Sequence, residues 1–161
     1  MTRDHSFMLV RLGAIAALSY SAQATVIHVP ADQPTIQGAI NVAVNGDTVL
    51  VAPGGYAETI SFLGKAIEVR AEQDDDPTLT VIDGSGFGAV AAWVAGEGRD
   101  TKLVGFTLQN AVLEGVAIIN SSPTIVRCRM VNNGGGAVAH GALINDGSPL
   151  FRECRFVGTA I

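Results

Sequence analysis

The chain carries three consecutive carboxylates, Asp74, Asp75 and Asp76, directly after Glu72-Gln73. Clustered acid oxygens in a loop are what a Ca²⁺ ion takes as ligands, so these residues form a candidate cation site. Consecutive side chains seldom converge on one ion, however, and the glycine-containing spacing of a calcium loop is missing. A solvated acidic turn is the plainer expectation. Further along, Arg127, Arg129, Arg152 and Arg155 crowd into two short stretches. Guanidinium groups on adjacent strands can hold a carboxylated sugar through charge-assisted hydrogen bonds. The competing reading is an ordinary solvated strand face, with Glu153 placed to pair with Arg127. Trp93, the single tryptophan, is a candidate platform for stacking a sugar ring, although its apolar neighbours favour core packing. Cys128, Cys154, Met130 and His140 carry donor atoms, but two cysteines and one distant histidine are not a recognisable metal-ligand set.

The elements that must position these residues are announced by a repeat. Ser122-Pro123-Thr124-Ile125-Val126-Arg127-Cys128-Arg129-Met130-Val131 is copied without a gap by Ser148-Pro149-Leu150-Phe151-Arg152-Glu153-Cys154-Arg155-Phe156-Val157, 26 residues later. The same interval separates Gly115 from Gly141 and Ile118 from Ile144. A fixed period of this length signals stacked repeats. Within each copy the apolar residues are spaced by three and then by two (Ile125, Cys128, Met130; Phe151, Cys154, Phe156), as two short strands joined at a bend would require. Leu103, Phe106 and Leu108 fit the same frame one repeat earlier.

After residue 45 no strong helical pattern appears, which excludes ankyrin-like units, and the leucine-and-asparagine pattern of leucine-rich repeats is absent. A parallel β-helix remains, each repeat forming one coil and equivalent residues stacking about 4.8 Å apart. Cys128 and Cys154 then lie over one another inside the coil, as free thiols or as a bridge, which needs Cβ atoms roughly 3.5–4.5 Å apart. Asn110 and Asn132 would stack at a turn and exchange amide hydrogen bonds, a ladder interrupted at Gly158.

Before the repeats, Val26–Val29 reads as a strand. Thr35 can cap a short helix from Ile36 to about Val44, whose apolar residues Ile36, Ala39, Ile40 and Ala43 share one face. This helix is expected to close the open end of the solenoid. Strands follow at Thr48–Ala52, Thr59–Phe62, Ala66–Ala71, Leu79–Ile82 and Ala89–Val94, with Pro53-Gly54-Gly55 as a turn and residues 72–77 as a loop.

With these motifs in hand, the chain resembles the bacterial right-handed parallel β-helix proteins of the pectin-lyase-like superfamily. It is most similar to their secreted repeat-containing members with the pattern S-P-x-I-x-x-C-x-F. Thr35-Ile36-Gln37-Gly38-Ala39-Ile40, Asn45-Gly46-Asp47-Thr48-Val49, Val81-Ile82-Asp83-Gly84 and Gly105-Phe106-Thr107-Leu108 carry the resemblance into the first half. It implies an all-β, right-handed parallel β-helix solenoid with a short N-terminal capping helix. It does not imply one activity, because a fold hosts many functions. The polygalacturonase-type motifs of that superfamily have no full counterpart here, and the paired acid and base that glycoside hydrolysis needs are not recognisable.

Composition narrows the rest. The 161 residues suffice for one domain, charged residues make up only 16%, and the net charge of −5 comes without a basic run, which argues against nucleic acid as a partner. Residues 1–24 read as a secretory leader, with Arg3 and Arg11 around a short basic region, an apolar run Leu12–Tyr20 and a small-x-small site at Ala22-Gln23-Ala24. That run is shorter than the ~20 residues that span a bilayer. The expectation is therefore an exported protein, at the periplasm, cell surface or outside the cell. Its β-helix domain, residues 25–161, is expected to be incomplete at the C-terminus, with further coils or a partner covering the last one. A noncatalytic structural, cell-surface or carbohydrate-binding role, with a polysaccharide or cell-surface glycan as partner, is the expected function. A truncated lyase, hydrolase or epimerase acting on acidic glycans is the alternative. No cofactor is expected, Ca²⁺ at Asp74–Asp76 being the one candidate.

Overall fold

The computed structural model describes residues 23–134 and 140–158. The predicted leader, residues 1–24, lies outside them apart from Gln23 and Ala24, as does the side chain of His140. The chain opens with strand β1 (Val26–Val29) and helix α1 (Ile36–Val42). The first coil holds β2 (Thr48–Val51), β3 (Gly54–Ala57) and β4 (Ile60–Ser61), and the second holds β5 (Glu68–Ala71), β6 (Thr80–Asp83) and β7 (Ala91–Trp93). The third holds β8 (Lys102–Val104), β9 (Thr107–Gln109) and β10 (Glu114–Ile119), and the fourth β11 (Thr124–Val126), β12 (Arg129–Val131) and β13 (His140–Asn145). The fifth contributes β14 (Leu150–Arg152) and β15 (Arg155–Val157). Equivalent strands pair in parallel as three sheets, β1-β2-β5-β8-β11-β14, β3-β6-β9-β12-β15 and β4-β7-β10-β13. The expected parallel β-helix is the fold, with one short helix and about five turns among the described residues.

The core is built from columns. Ile27, Val49, Val69, Leu103, Ile125 and Phe151 occupy one register position through the first sheet. Tyr56, Ile82, Leu108, Met130 and Phe156 do so in the second. Alternation along each strand sends these residues inward and their neighbours outward, and full burial of one such side chain contributes about 1.5–3 kcal/mol. The bend required by the three-then-two spacing falls at Arg127, whose φ is +50°, with Gly105 (+82°) and Glu153 (+56°) at the same corner of adjacent coils. There Phe106 and Cys128 turn into the core. Cys128 Sγ lies 3.7 Å from Leu103 O and Cys154 Sγ 3.5 Å from Ile125 O, and both are free thiols. Burial pushes the Cys128 thiol up to about 12.

The helix closes the first coil and is fastened at both ends. Thr35 Oγ1 accepts from Gly38 N at 3.0 Å, and the Glu58 carboxylate accepts from Ile36 N and Gln37 N at 2.9 and 2.8 Å. At the other end Lys65 Nζ donates to the carbonyls of Ile40, Asn41 and Ala43 at 2.7, 2.9 and 2.8 Å. A carboxylate at the N-terminus and an ammonium at the C-terminus complement the helix dipole. The helix stops at Val42, short of the expected Val44, because Ala43 leaves helical geometry at ψ 148°.

Two local expectations need correction. Gly54–Ala57 is strand, not turn: it pairs with β6, and two glycines gave it no side-chain alternation to read. The asparagine ladder does not form. Asn110 Nδ2 donates to Asp83 Oδ2 at 2.6 Å, and the residue after Asn132, the buried Asn133, links the coils instead. Asn133 accepts from Ala111 N at 3.0 Å and donates to Leu108 O at 2.9 Å.

Candidate functional site

At the corner between the first two sheets, four coils turn in two residues: Ala52-Pro53, Gly105-Phe106, Arg127-Cys128 and Glu153-Cys154. The second coil instead places Glu72–Leu79 there. This longer segment folds back as a strap over the third coil. Asp74 rests on Gly105 so closely that a Cβ at Gly105 would lie 2.5 Å from Asp74 Cα. Arg127 holds the strap from the next coil, with Nη2 2.8 Å from Asp74 Oδ2 and Nε donating to Asp74 O at 3.0 Å. Arg70 Nη1 approaches the same Oδ2 at 2.6 Å, while its Nε meets Glu68. Thr107 Oγ1 donates to Pro77 O at 2.7 Å, which explains why this outward-facing threonine is buried.

Beside the strap lies an open groove of about 520 Å³, lined by Asp75, Pro77, Thr78, Arg127, Arg129, Glu153 and Arg155. Arg129 and Arg155 are register partners on β12 and β15, so their side chains leave the wall one coil apart. Among the described residues neither makes an ion pair. The groove thus offers guanidinium donors on two coils, with the carboxylates of Asp75 and Glu153 and the Thr78 residue among them. Such a lining can give hydrogen bonds to an anionic group and accept them from hydroxyls.

The residues singled out in the sequence do not all meet here. Arg127, Arg129 and Arg155 line the groove; Arg152 does not, because it pairs with Val126 in the first sheet and projects from that sheet's face. Glu153 does not pair with Arg127, whose guanidinium is taken by Asp74. Trp93 is fully buried and stacks on Phe62 with ring centroids 4.7 Å apart and planes at 17°, so it offers no surface to a sugar. The three aspartates diverge rather than converge. Asp74 serves two arginines, Asp75 faces the groove, and Asp76 accepts from Thr78 Oγ1 at 2.6 Å and Thr78 N at 3.0 Å. Those bonds hold the Asp76 carboxyl below its ordinary range. Among the described residues no three acid, histidine or cysteine side chains are grouped to hold a metal ion.

Sequence reading passed over Glu97, a buried carboxylate at the third corner. It accepts from Gly64 N, Ala95 N and Ser121 Oγ, each at 2.9 Å, and so ties the coil before to the coil after. Burial alone would raise its carboxyl; the Ala95, Gly64 and Ser121 bonds outweigh that and hold it below its ordinary value. Gly105, named in the sequence only as part of the motif Gly105-Phe106-Thr107-Leu108, stands where the later coils have Arg127 and Glu153, and that exchange was visible in the alignment of repeats. Set beside known proteins, the chain matches no family model and no curated protein.

Proposed function

We propose that this chain is an exported, noncatalytic β-helix of the pectin-lyase-like kind whose groove binds an acidic carbohydrate. The two repeat copies, which share Ser-Pro and a cysteine at the spacing of the pattern S-P-x-I-x-x-C-x-F, with Met130 at its last position and Phe151 at its fourth, support the kinship, and the apolar run with its small-x-small site in residues 1–24 supports export. One observation carries the binding reading: Arg129 and Arg155, stacked on neighbouring coils without ion-pair partners among the described residues, line the same groove as Asp75, Thr78 and Glu153. A uronate residue presents one carboxylate and several hydroxyls. The arginines suit the carboxylate, and Asp75 and Glu153 suit the hydroxyls.

Titration calorimetry with an oligogalacturonate and with its carboxyl-reduced, neutral counterpart tests this. The acidic ligand should bind and the neutral one bind much more weakly, and Arg129→Ala or Arg155→Ala should weaken acidic binding about tenfold, as loss of a charge-assisted contact implies. Equal binding of both ligands, or of wild type and the arginine variants, overturns the reading. Release of unsaturated uronide or of new reducing ends would show turnover and overturn its noncatalytic part.

A further inference from the structure

The strap is a wall of the groove, and Arg127 grips it there through Asp74. It is also seated on the third coil, at two residues that do not line the groove. Gly105 leaves the space Asp74 fills, since a Cβ there would sit 2.5 Å from Asp74 Cα and 3.0 Å from Asp74 O. Its stacked neighbours Arg127 (φ +50°) and Glu153 (φ +56°) carry full side chains in the left-handed region, whereas Gly105, at φ +82°, combines a backbone that L side chains rarely adopt with the close approach of the strap. Thr107 then fixes the strap's far end through its 2.7 Å bond to Pro77 O. Asp75 and Thr78, which line the groove, are the chain neighbours of these anchor points, Asp74 and Pro77. Arg127 depends on the same seating, because two of its contacts, 2.8 Å to Asp74 Oδ2 and 3.0 Å to Asp74 O, end on the strap.

We infer that Gly105 and Thr107 are positioning residues of the groove: by seating the strap they place Asp75 and Thr78 and orient Arg127 for the ligand. The inference rests on the binding reading above. It makes affinity depend on residues that a ligand does not touch and that carry no charge.

The test uses the full chain, an oligogalacturonate and calorimetry, with thermal melts confirming that each variant is folded. Thr107→Val removes the hydroxyl at nearly constant shape and should weaken binding about tenfold. Thr107→Ser keeps the donor and should restore it. Thr124→Val, which removes a comparable bond to Arg99 O at 3.0 Å, should leave affinity unchanged. Gly105→Ala, which pushes Asp74 outward, should act like Thr107→Val. In an Asp75→Ala/Thr78→Ala background the Thr107→Val loss should largely disappear, an outcome that a general effect on fold stability would not produce. Wild type that binds while Thr107→Val and Gly105→Ala bind equally well overturns this inference alone. Wild type that binds no acidic oligosaccharide overturns the binding reading together with it.

Discussion

The carboxamide of Gln37 pairs with the backbone of Ser61 as a neighbouring strand would. Its Oε1 accepts from Ser61 N at 2.7 Å and its Nε2 donates to Ser61 O at 3.2 Å. β4 is the edge of its sheet, and an uncovered edge leaves backbone groups without partners. One helical side chain therefore completes the ladder where the stack of coils begins. Gln37→Leu should lower stability by about 1–2 kcal/mol, the range for the two lost strand-like hydrogen bonds, the third, an exposed bond to Asn41 Oδ1, adding little, read from urea unfolding. An unchanged midpoint would mean that water serves the edge equally well.

Lys65 fastens the other end of the same helix, with three carbonyl contacts between 2.7 and 2.9 Å. Lys65→Met keeps much of the aliphatic stem and removes the ammonium. A loss of about 1.5–3 kcal/mol is expected, the range for hydrogen bonds to a charged group, together with faster amide exchange in residues 36–43.

Glu97 predicts an acid sensitivity. Its folded carboxyl is held below its ordinary value, so its contribution is fully present above the unfolded value of 4.5 and is lost as pH falls through the lower, folded one. Glu97→Gln should destabilise the protein at about pH 7, because an amide presents a donor to the Gly64 and Ala95 N–H groups. The gap between variant and wild type should narrow at about pH 3. Parallel curves across that range would exclude the linkage.

Trp93 should behave as a core residue. Its emission should be blue-shifted, resist acrylamide quenching and stay unchanged when an acidic oligosaccharide is added, because the ring is buried against Phe62. Trp93→Ala should cost about 3–5 kcal/mol, as large aromatic truncations in cores do.

The thiols separate by burial. Cys128, fully buried with its thiol pushed up to about 12, should not react with a maleimide until the protein unfolds. Cys154, partly exposed, with its thiol also raised by burial, should react slowly in the native state. Mass spectrometry of labelled peptides distinguishes the two.

How much of this was legible beforehand depends on distance along the chain. Ile125, Cys128 and Met130 declared their inward direction because strand alternation and the corner bend are local rules, and the copy at Phe151, Cys154 and Phe156 declared the stacking. Thr35 declared a helix start for the same reason, since its hydroxyl caps a group three residues away. The strand Gly54–Ala57 escaped because glycines carry no pattern, and Asn133 escaped because its partners lie on another coil.

By itself, then, the sequence determined the coil, the columns of the core and the positions of outward arginines, since each follows from side-chain periodicity within one repeat. Only the tertiary structure decided which of those arginines share a groove. The decisive contact joins Arg127 to Asp74, 53 residues apart, and depends on the space above Gly105. No local pattern encodes where a strap inserted in one coil will come to rest on the next. That is settled by which surface leaves room for its backbone and offers partners for its carboxylate and carbonyls.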